Sequence, residues 1–297
     1  MTEQTVNTKL ADYYLTRSEI TATTILDQLA VNGLVIIPKY AVEQESFSTL
    51  LDSLATCYLD SPLGDRARIT GEQNVQSVSI GKHPIDFHFE WGNLPFRPEL
   101  LTFCCVEPPV QGGETILCDS NQVLHSLSSR SMKVLENNSL KYTDTLPSWI
   151  IDYYANKENL QRYFHGDFLK YLKSMDNYHI DDSNEDFIKT EYVTSAINTS
   201  HFSSLPVIGG NVLSSIYSDK GGQDSYASRI QFADNSIIPQ FVLDEIKVAM
   251  DKHKLEVSWQ KGDVVFIDNT RFLHGRNKIE DAKRSILLAS VYTKASA

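Results

Sequence analysis

The stretch Asp86-Phe87-His88-Phe89-Glu90-Trp91 places two strong metal-ligating side chains two residues apart. Alternate side chains of an extended strand project to the same side, so His88 and Glu90 would meet while the two phenylalanines pack behind them. An imidazole and a carboxylate are two of the three ligands of a facial triad, which holds Fe(II) and leaves one face open. The alternative is a surface strand with two polar residues, because such a pair also arises by chance.

His274 is the candidate third ligand. It follows a hydrophobic strand predicted over 264–267 and precedes Gly275, which allows another backbone to pass closely. The remaining histidines lie in settings typical of ordinary surface or core residues. They are His83, His125, His165, His179, His201 and His253.

Arg284 is the candidate anion anchor, at the start of the last predicted strand. A guanidinium binds a carboxylate through two parallel hydrogen bonds, which suits a dicarboxylate cosubstrate. Thr115 opens a strand after a glycine pair and would give a hydroxyl to the same carboxylate. Arg276 is the alternative anchor, but we expect it on a turn, in a structural ion pair.

Composition excludes several classes of protein. The 297 residues are 41% hydrophobic and contain no linker-like run, so we expect a single domain over 1–297. The formal net charge of −11 argues against nucleic acid as a partner, because phosphate binding needs clustered cations. No stretch has the length of a membrane span, and the polar N-terminal segment has no signal core, so we expect a cytoplasmic protein. Nothing in the sequence specifies an oligomeric state.

Hydrophobic patterning predicts short strands separated by turns, with helices between some of them. This pattern favours an α+β fold with a barrel or jelly-roll core and flanking helices. The predicted helices cover 19–32, the segment around Phe47–Ala55, 121–136 capped by Asp119 or Ser120, and about a dozen residues after Pro239. The predicted strands cover 34–37, 75–80, 100–106, 114–119, 226–232, 256–259, 264–267 and 286–291.

The segment of about 145–205 differs in character from its surroundings, with many aromatic residues among charged ones. We interpret it as a partly helical insertion without a core strand. Such an insertion is typical of a lid over an active site. The alternative, equally supported by the pattern, is a peripheral helical bundle that buries its aromatic side chains against the core.

The motifs taken together resemble the taurine dioxygenase / clavaminate synthase-like superfamily of Fe(II)- and 2-oxoglutarate-dependent oxygenases. They run in order along residues 30–293, and the resemblance is weakest across 145–205. The motif residues are His88-x-Glu90, Gln111-Gly112-Gly113-Glu114-Thr115, Trp259-Gln260-Lys261-Gly262-Asp263, Asp268-Asn269, His274-Gly275-Arg276 and Arg284.

The resemblance implies a distorted double-stranded β-helix, a jelly-roll variant, in which His88, Glu90 and His274 bind iron. It also implies that Thr115 and Arg284 hold the distal carboxylate of 2-oxoglutarate. With O2, such enzymes hydroxylate a small molecule and convert 2-oxoglutarate to succinate; desaturation, epoxidation and cyclisation are alternatives with the same cofactors. Related halogenases have Gly or Ala in place of Glu90, so oxygen insertion is expected here.

The substrate is less defined than the cofactors. Taurine dioxygenase has an arginine where this chain has Leu288, which argues against a sulfonate. The acidic composition favours a basic or zwitterionic small molecule, with Gln76, Trp91 and Asn93 as candidate contacts and Ser77 as a further one. Outside the oxygenases, a cupin-like metal-binding jelly roll is the alternative.

Overall fold

A computed structural model describes residues 9–41, 44–62, 66, 74–78, 81–217, 227–280 and 283–294. Parts of two predicted strands, 75–80 and 226–232, therefore lie outside the described residues. The same is true of the polar and charged segment 61–74, which the sequence predicts to be a loop. None of the described helices combines the length and the apolar character that a bilayer crossing requires.

Nine helices and sixteen strands occur in the described residues. The helices are α1 Ala22–Asn32, α2 Gln44–Leu54, α3 Ser120–Ser126, α4 Ser129–Glu136, α5 Trp149–Ala155, α6 Glu158–Tyr163, α7 Phe168–Lys173, α8 Val212–Tyr217 and α9 Gln240–Lys252, with 3-10 turns at Leu10–Tyr13 and Arg17–Glu19. The strands are β1 Leu34–Ile37, β2 Ala55–Leu59, β3 Gln76–Ser77, β4 Ile85–His88, β5 Leu100–Glu107, β6 Thr115–Asp119, β7 Ser139–Pro147, β8 Tyr178–Asp181, β9 Phe187–Ser195, β10 Ile197–Thr199, β11 Pro206–Ile208, β12 Ala227–Phe232, β13 Leu255–Val257, β14 Val264–Asp268, β15 Phe272–Arg276 and β16 Ser285–Thr293.

The strands form antiparallel sheets. A six-stranded large sheet has the order β1-β14-β5-β16-β2, with β3 paired to β16. A four-stranded site sheet has the order β13-β6-β15-β4. A second four-stranded sheet, the cavity sheet, has the order β12-β7-β9-β8, and β10 pairs with β11 alone.

The large sheet and the site sheet share one hydrophobic core. Phe103 and Ile267 of the large sheet and Leu117 and Phe272 of the site sheet belong to the same buried cluster. Burying a side chain of this size stabilises the fold by about 1.5–3 kcal/mol. The two sheets therefore pack against each other, and the chain is a mixed helix and sheet protein, as predicted.

Several predicted boundaries agree closely with the structure. Gly33 ends α1 in the left-handed conformation with φ +71°, which favours glycine. Asp119 caps α3 and accepts a hydrogen bond from the Asn121 backbone N–H. The free thiols of Cys104 and Cys105 are buried within β5.

The predicted helix over 121–136 is wrong in one respect, because it is two helices. Leu127 and Ser128 adopt extended backbone angles between α3 and α4. The Ser128 hydroxyl then caps α4 by accepting from the Ser131 N–H, and the Ser128 backbone N–H donates to Glu245 at 2.9 Å. Serine is favoured at the N-cap, where its hydroxyl accepts from a free backbone N–H, and is less favourable inside a helix. A new helix therefore begins after Ser128.

One part of the interpretation of 145–205 is also wrong, namely that the segment has no core strand. It contains α5–α7, but β9 is a nine-residue strand that pairs with both β7 and β8. Along β9 the buried Ile188 and Thr190 alternate with exposed residues. The charged residues on the outward face conceal this alternation in the sequence.

Candidate metal and cosubstrate site

The site lies on the site sheet, where β15 pairs with both β4 and β6. His274 is the register partner of His88 on one side and of Leu117 on the other. A Cβ atom on Gly275 would lie 2.5 Å from the Ile85 carbonyl oxygen, so glycine permits the close approach of β15 to β4. The short strand β15 was not predicted; it brings the two histidines together.

His88, Glu90 and His274 form a compact set of ligand atoms. One potential ligand atom from each lies within 4.8 Å of the other two. Nε2 of His274 is 3.7 Å and Nε2 of His88 is 4.0 Å from Oε2 of Glu90. Nδ1 of His88 lies 2.9 Å from the Asp86 carbonyl oxygen, an acceptor, so Nδ1 carries the proton and Nε2 has a free lone pair.

Two buried asparagines hold the turn that carries Glu90. The Asn211 side chain accepts from the Phe89 N–H at 2.7 Å and donates to the Phe89 carbonyl at 3.0 Å. The Asn269 side chain makes the same pair of hydrogen bonds to Glu90, each at 2.9 Å. The next residue, Trp91, has φ +59°, so the chain turns sharply here. Glu90 thus reaches His88 from a fixed turn after β4, and Phe89 packs into the core.

Charge around the ligands favours the forms that bind a cation. Burial opposes ionisation of Glu90, but the Arg66 guanidinium and His88 outweigh burial and hold the pKa of Glu90 below its ordinary value. Arg66 Nη2 lies 2.8 and 2.9 Å from the two Glu90 oxygens. Burial lowers the pKa of His274 well below its ordinary value, and a proton there would also be repelled by the Arg66 guanidinium and by any proton shared with His88, so that imidazole stays neutral.

Thr115 and Arg284 provide hydrogen-bond donors beside the ligands. The indole N–H of Trp259 donates to Thr115 Oγ1 at 3.1 Å, so the threonine hydroxyl can give its own proton to another acceptor. Nε of Arg284 is buried without a hydrogen-bond partner among the described residues. Burial and the nearby Arg276 lower the pKa of Arg284 to about 10, which still leaves it charged at neutral pH.

Gly113 leaves room for the Arg284 side chain. Its φ of +73° is in the left-handed region, and a Cβ there would lie 3.2 Å from Arg284 Cδ. The glycine pair singled out in the sequence therefore shapes the surroundings of the candidate anchor.

One cavity of about 50 Å³ contains all five predicted cofactor residues. His88, Glu90, His274, Thr115 and Arg284 line it, together with residues that include Leu288. The donor set of two imidazoles and one carboxylate fits Fe(II), and the unpartnered buried guanidinium nitrogen fits an anionic cosubstrate. The residues present therefore fit both predicted groups.

Arg276 does not lie on a turn, which corrects the prediction. It ends β15 and is buried. Its Nη2 donates to the carbonyls of Gly81 and His83. These bonds tie β15 to the chain before β4, although the side chain also borders the small cavity.

The candidate substrate residues separate into two groups. The Gln76 amide makes two hydrogen bonds to the Ser61 backbone, at 2.8 and 2.9 Å. Neither Gln76 nor Ser77 lines the small cavity. Trp91 and Asn93 do line a second, larger cavity of about 310 Å³, which Gln76 and Ser77 do not reach either.

The chain belongs to the taurine catabolism dioxygenase TauD, TfdA family, because that family's model matches residues 2–291. The match confirms the resemblance seen in the sequence and the expected enzyme class, an Fe(II)- and 2-oxoglutarate-dependent dioxygenase. A search of curated proteins finds no match.

Solved structures share the fold at low sequence identity. A taurine dioxygenase from Burkholderia xenovorans aligns with TM-score 0.57 and 12% identity, over 94% of this chain and 82% of that one. AAD-2, crystallised with Mn(II) and N-oxalylglycine, aligns with TM-score 0.58 and 11% identity, over 97% and 96%. PvcB from Pseudomonas aeruginosa aligns with TM-score 0.53 and 13% identity, over 92% and 80%.

The sequence did not single out several residues at these sites. Arg66, Asn211 and Asp144 are three of them, and none belongs to a motif in the sequence. Asn269 entered only as part of a motif. A lone polar residue in a loop carries no periodic signal, so only the folded arrangement identifies it.

Proposed function

We propose that the protein hydroxylates a C–H bond of a small molecule, with His88, Glu90 and His274 as the Fe(II) ligands. The observation that carries the proposal is the single cavity lined by these three residues, Thr115 and Arg284. In the reaction, one substrate C–H, O2 and 2-oxoglutarate become C–OH, CO2 and succinate. Bound Fe(II) would supply the activation of O2, which amino-acid side chains do not perform.

The side chains of the protein would orient the cosubstrate and the metal ligands and neutralise the charge of the cosubstrate. Arg284 would pair with the distal carboxylate of 2-oxoglutarate, and the Thr115 hydroxyl would donate to the same group. Asn211 and Asn269 fix the turn that carries Glu90. Leu288, which lines the small cavity, occupies the position where taurine dioxygenase has an arginine, which supports a substrate other than taurine.

We further propose that the two packed sheets form a distorted jelly roll within a single domain. The shared core of the large sheet and the site sheet supports this architecture. The segment of 145–205 would act as a cover over the substrate. Its helices α5 and α7 and strand β9 supply walls of the larger cavity, which supports that role.

The test is consumption of 2-oxoglutarate under air, measured as succinate against a screen of amines, guanidines and amino acids. We expect succinate and a hydroxylated product that require added Fe(II). The His274→Ala variant should make neither, while His125→Ala, a histidine on α3 that does not line the small cavity, should remain active. Succinate formation that is independent of Fe(II), or that survives His274→Ala, contradicts the proposal.

A further inference from the structure

We propose that the 310 Å³ cavity between the cavity sheet and helices α5 and α7 binds a largely apolar amine, with Asp144 as the counter-ion of its ammonium group. The inference deepens the proposed function, since it names the substrate class. It rests on that function only for the reaction that the amine would undergo. The volume is within the range of about 300–1,000 Å³ that small-molecule sites occupy.

The walls of this cavity are almost entirely apolar or aromatic. Helix α5 contributes Ile150 and Ile151, and helix α7 contributes Phe168 and Leu172. Apolar walls of this kind bind the hydrocarbon part of a ligand through the hydrophobic effect. Small-molecule sites typically combine such walls with a few polar groups that fix the orientation.

Asp144 is the one charged residue among the described residues that line the cavity. It is 3% exposed, and Asn93, which also lines the cavity, donates to its Oδ2 at 2.9 Å. Burying an ionised carboxylate without a cationic partner costs free energy. Buried carboxyl groups of this kind occur preferentially at functional sites. Burial raises the pKa of Asp144 to about 6, against the hydrogen bonds that lower it, so the group is mainly ionised at pH 7.5.

The same lining discriminates among ligand classes. None of the described residues that line the cavity is a lysine, arginine or histidine. A carboxylate or a zwitterion would therefore bring a negative charge into an apolar site that already contains Asp144. An amine brings the opposite charge, so electrostatics selects it over an amino acid of the same size.

Two wall residues of the cavity, Trp91 and Tyr154, relate it to the proposed metal ligand Glu90. Trp91, which lines it, directly follows Glu90 in the chain. Tyr154, another wall residue, packs edge-on against Trp91 with ring centroids 6.1 Å apart, and after burial and other charges the Glu90 charge also raises the pKa of Tyr154. The indole N–H of Trp91 is buried without a partner among the described residues, so this wall also offers a donor to a bound molecule.

The experiment measures direct binding by isothermal titration calorimetry at pH 7.5, without metal or 2-oxoglutarate. Phenylbutylamine, phenylbutanol and phenylbutanoate share one hydrocarbon part and differ in the end group. We expect the amine to bind about tenfold or more tightly than the alcohol, and the carboxylate to bind most weakly. Asp144→Asn should bring the amine and the alcohol to within about threefold of each other, whereas Asp144→Glu should keep the preference.

Two controls separate the possible causes. Asp152→Asn removes an exposed carboxylate from α5 and should leave the preference for the amine unchanged. Ile151→Trp fills the cavity and should weaken binding of the amine and the alcohol together. Circular dichroism checks that each variant is folded. If Asp144→Asn does not fold, the test is whether Asp144→Glu keeps the preference for the amine over the alcohol.

Binding of the carboxylate as tightly as the amine, absence of amine binding, or a preference that survives Asp144→Asn would overturn the inference. These outcomes are independent of the proposed reaction. Amine binding without succinate formation would leave the cavity assignment standing and remove the function. Succinate formation with no amine binding would leave the proposed function standing and remove the cavity assignment.

Discussion

The Asn269 carboxamide clamps the backbone of Glu90 from both sides, accepting from its N–H and donating to its carbonyl at 2.9 Å each. The same nitrogen also donates to the Pro98 carbonyl at 2.8 Å. Asn269 is fully buried and follows β14, so a strand of the large sheet fixes a residue attached to the site sheet. The position of the only carboxylate in the ligand set thus depends on the packing of two sheets.

We expect Asn269→Ala to weaken Mn(II) binding by about 10- to 100-fold, the usual effect of removing a group that orients a metal ligand. The cause is a loosened Glu90 turn, because three hydrogen bonds are lost. Electron paramagnetic resonance of free Mn(II) measures the affinity. Asn177→Ala, which removes one exposed side-chain bond to the Val193 carbonyl, is the matched control. Equal affinities in the two variants would show that Glu90 needs no such support.

Arg284→Ala should raise the dissociation constant of 2-oxoglutarate, measured with Mn(II) bound, by at least about 30-fold. The removal of one partner of a buried charged pair costs about 2–5 kcal/mol. Arg284→Lys should recover part of the loss, because it keeps the charge without the two-pronged geometry. Lys283→Ala, next to it and exposed, should have no effect. A wild-type affinity in Arg284→Ala would assign the anchor to another residue.

Gly113→Ala should weaken 2-oxoglutarate binding severalfold and lower stability by about 1–2 kcal/mol. Its φ of +73° strains an alanine, and the added methyl would press on Arg284 Cδ. Gly166→Ala separates these effects, since Gly166 has φ +152° and a methyl group added there would have no atom within 4 Å. Calorimetric titration and thermal unfolding of both variants should show lost stability in each but lost affinity only in Gly113→Ala.

Asp144 makes stability depend on pH. Its pKa rises from 3.8 to about 6 on folding, so the unfolded chain releases this proton first as pH increases. As the pH rises from about 4 to 6, the free energy of unfolding therefore falls by about 3 kcal/mol in total. The phenols of Tyr142 on the same strand and Tyr178 on β8 stay protonated there, because burial raises the pKa of each.

Asp144→Asn should consequently be more stable than the wild type at pH 7.5 and nearly equal to it at pH 4. Urea unfolding at both pH values measures the difference, and Asp152→Asn controls for the loss of one negative charge. A wild type that is more stable than Asp144→Asn at pH 7.5 would mean that Asp144 already has a compensating partner. Its place as an unpaired carboxylate in the cavity would then be wrong.

The sequence was most informative where one local pattern determines the structure. The run Leu34–Ile37 is a buried strand, and Gly33 before it ends a helix, as predicted. His88, Glu90, His274, Thr115 and Arg284 were all chosen from spacing and resemblance, and the structure brings them into one cavity. Whether they bind iron and 2-oxoglutarate stays a prediction.

Features that depend on tertiary packing were not predictable. The strand β15 is short, and its pairing to both β4 and β6 has no local signature. The Ser128 cap divided a helix whose hydrophobic pattern is continuous. Asp144 lies on the buried face of β7, in phase with Leu140 and Tyr142, but β7 was not predicted as a strand, so the sequence did not reveal that burial.

The most direct test of the central claim is an anaerobic titration of Fe(II) and 2-oxoglutarate, followed by visible absorption. A weak charge-transfer band is expected when the cosubstrate chelates iron held by His88, Glu90 and His274. The band should be absent in His88→Ala and present in His125→Ala. No band in the wild type, or an unchanged band in His88→Ala, would contradict the assignment of this site.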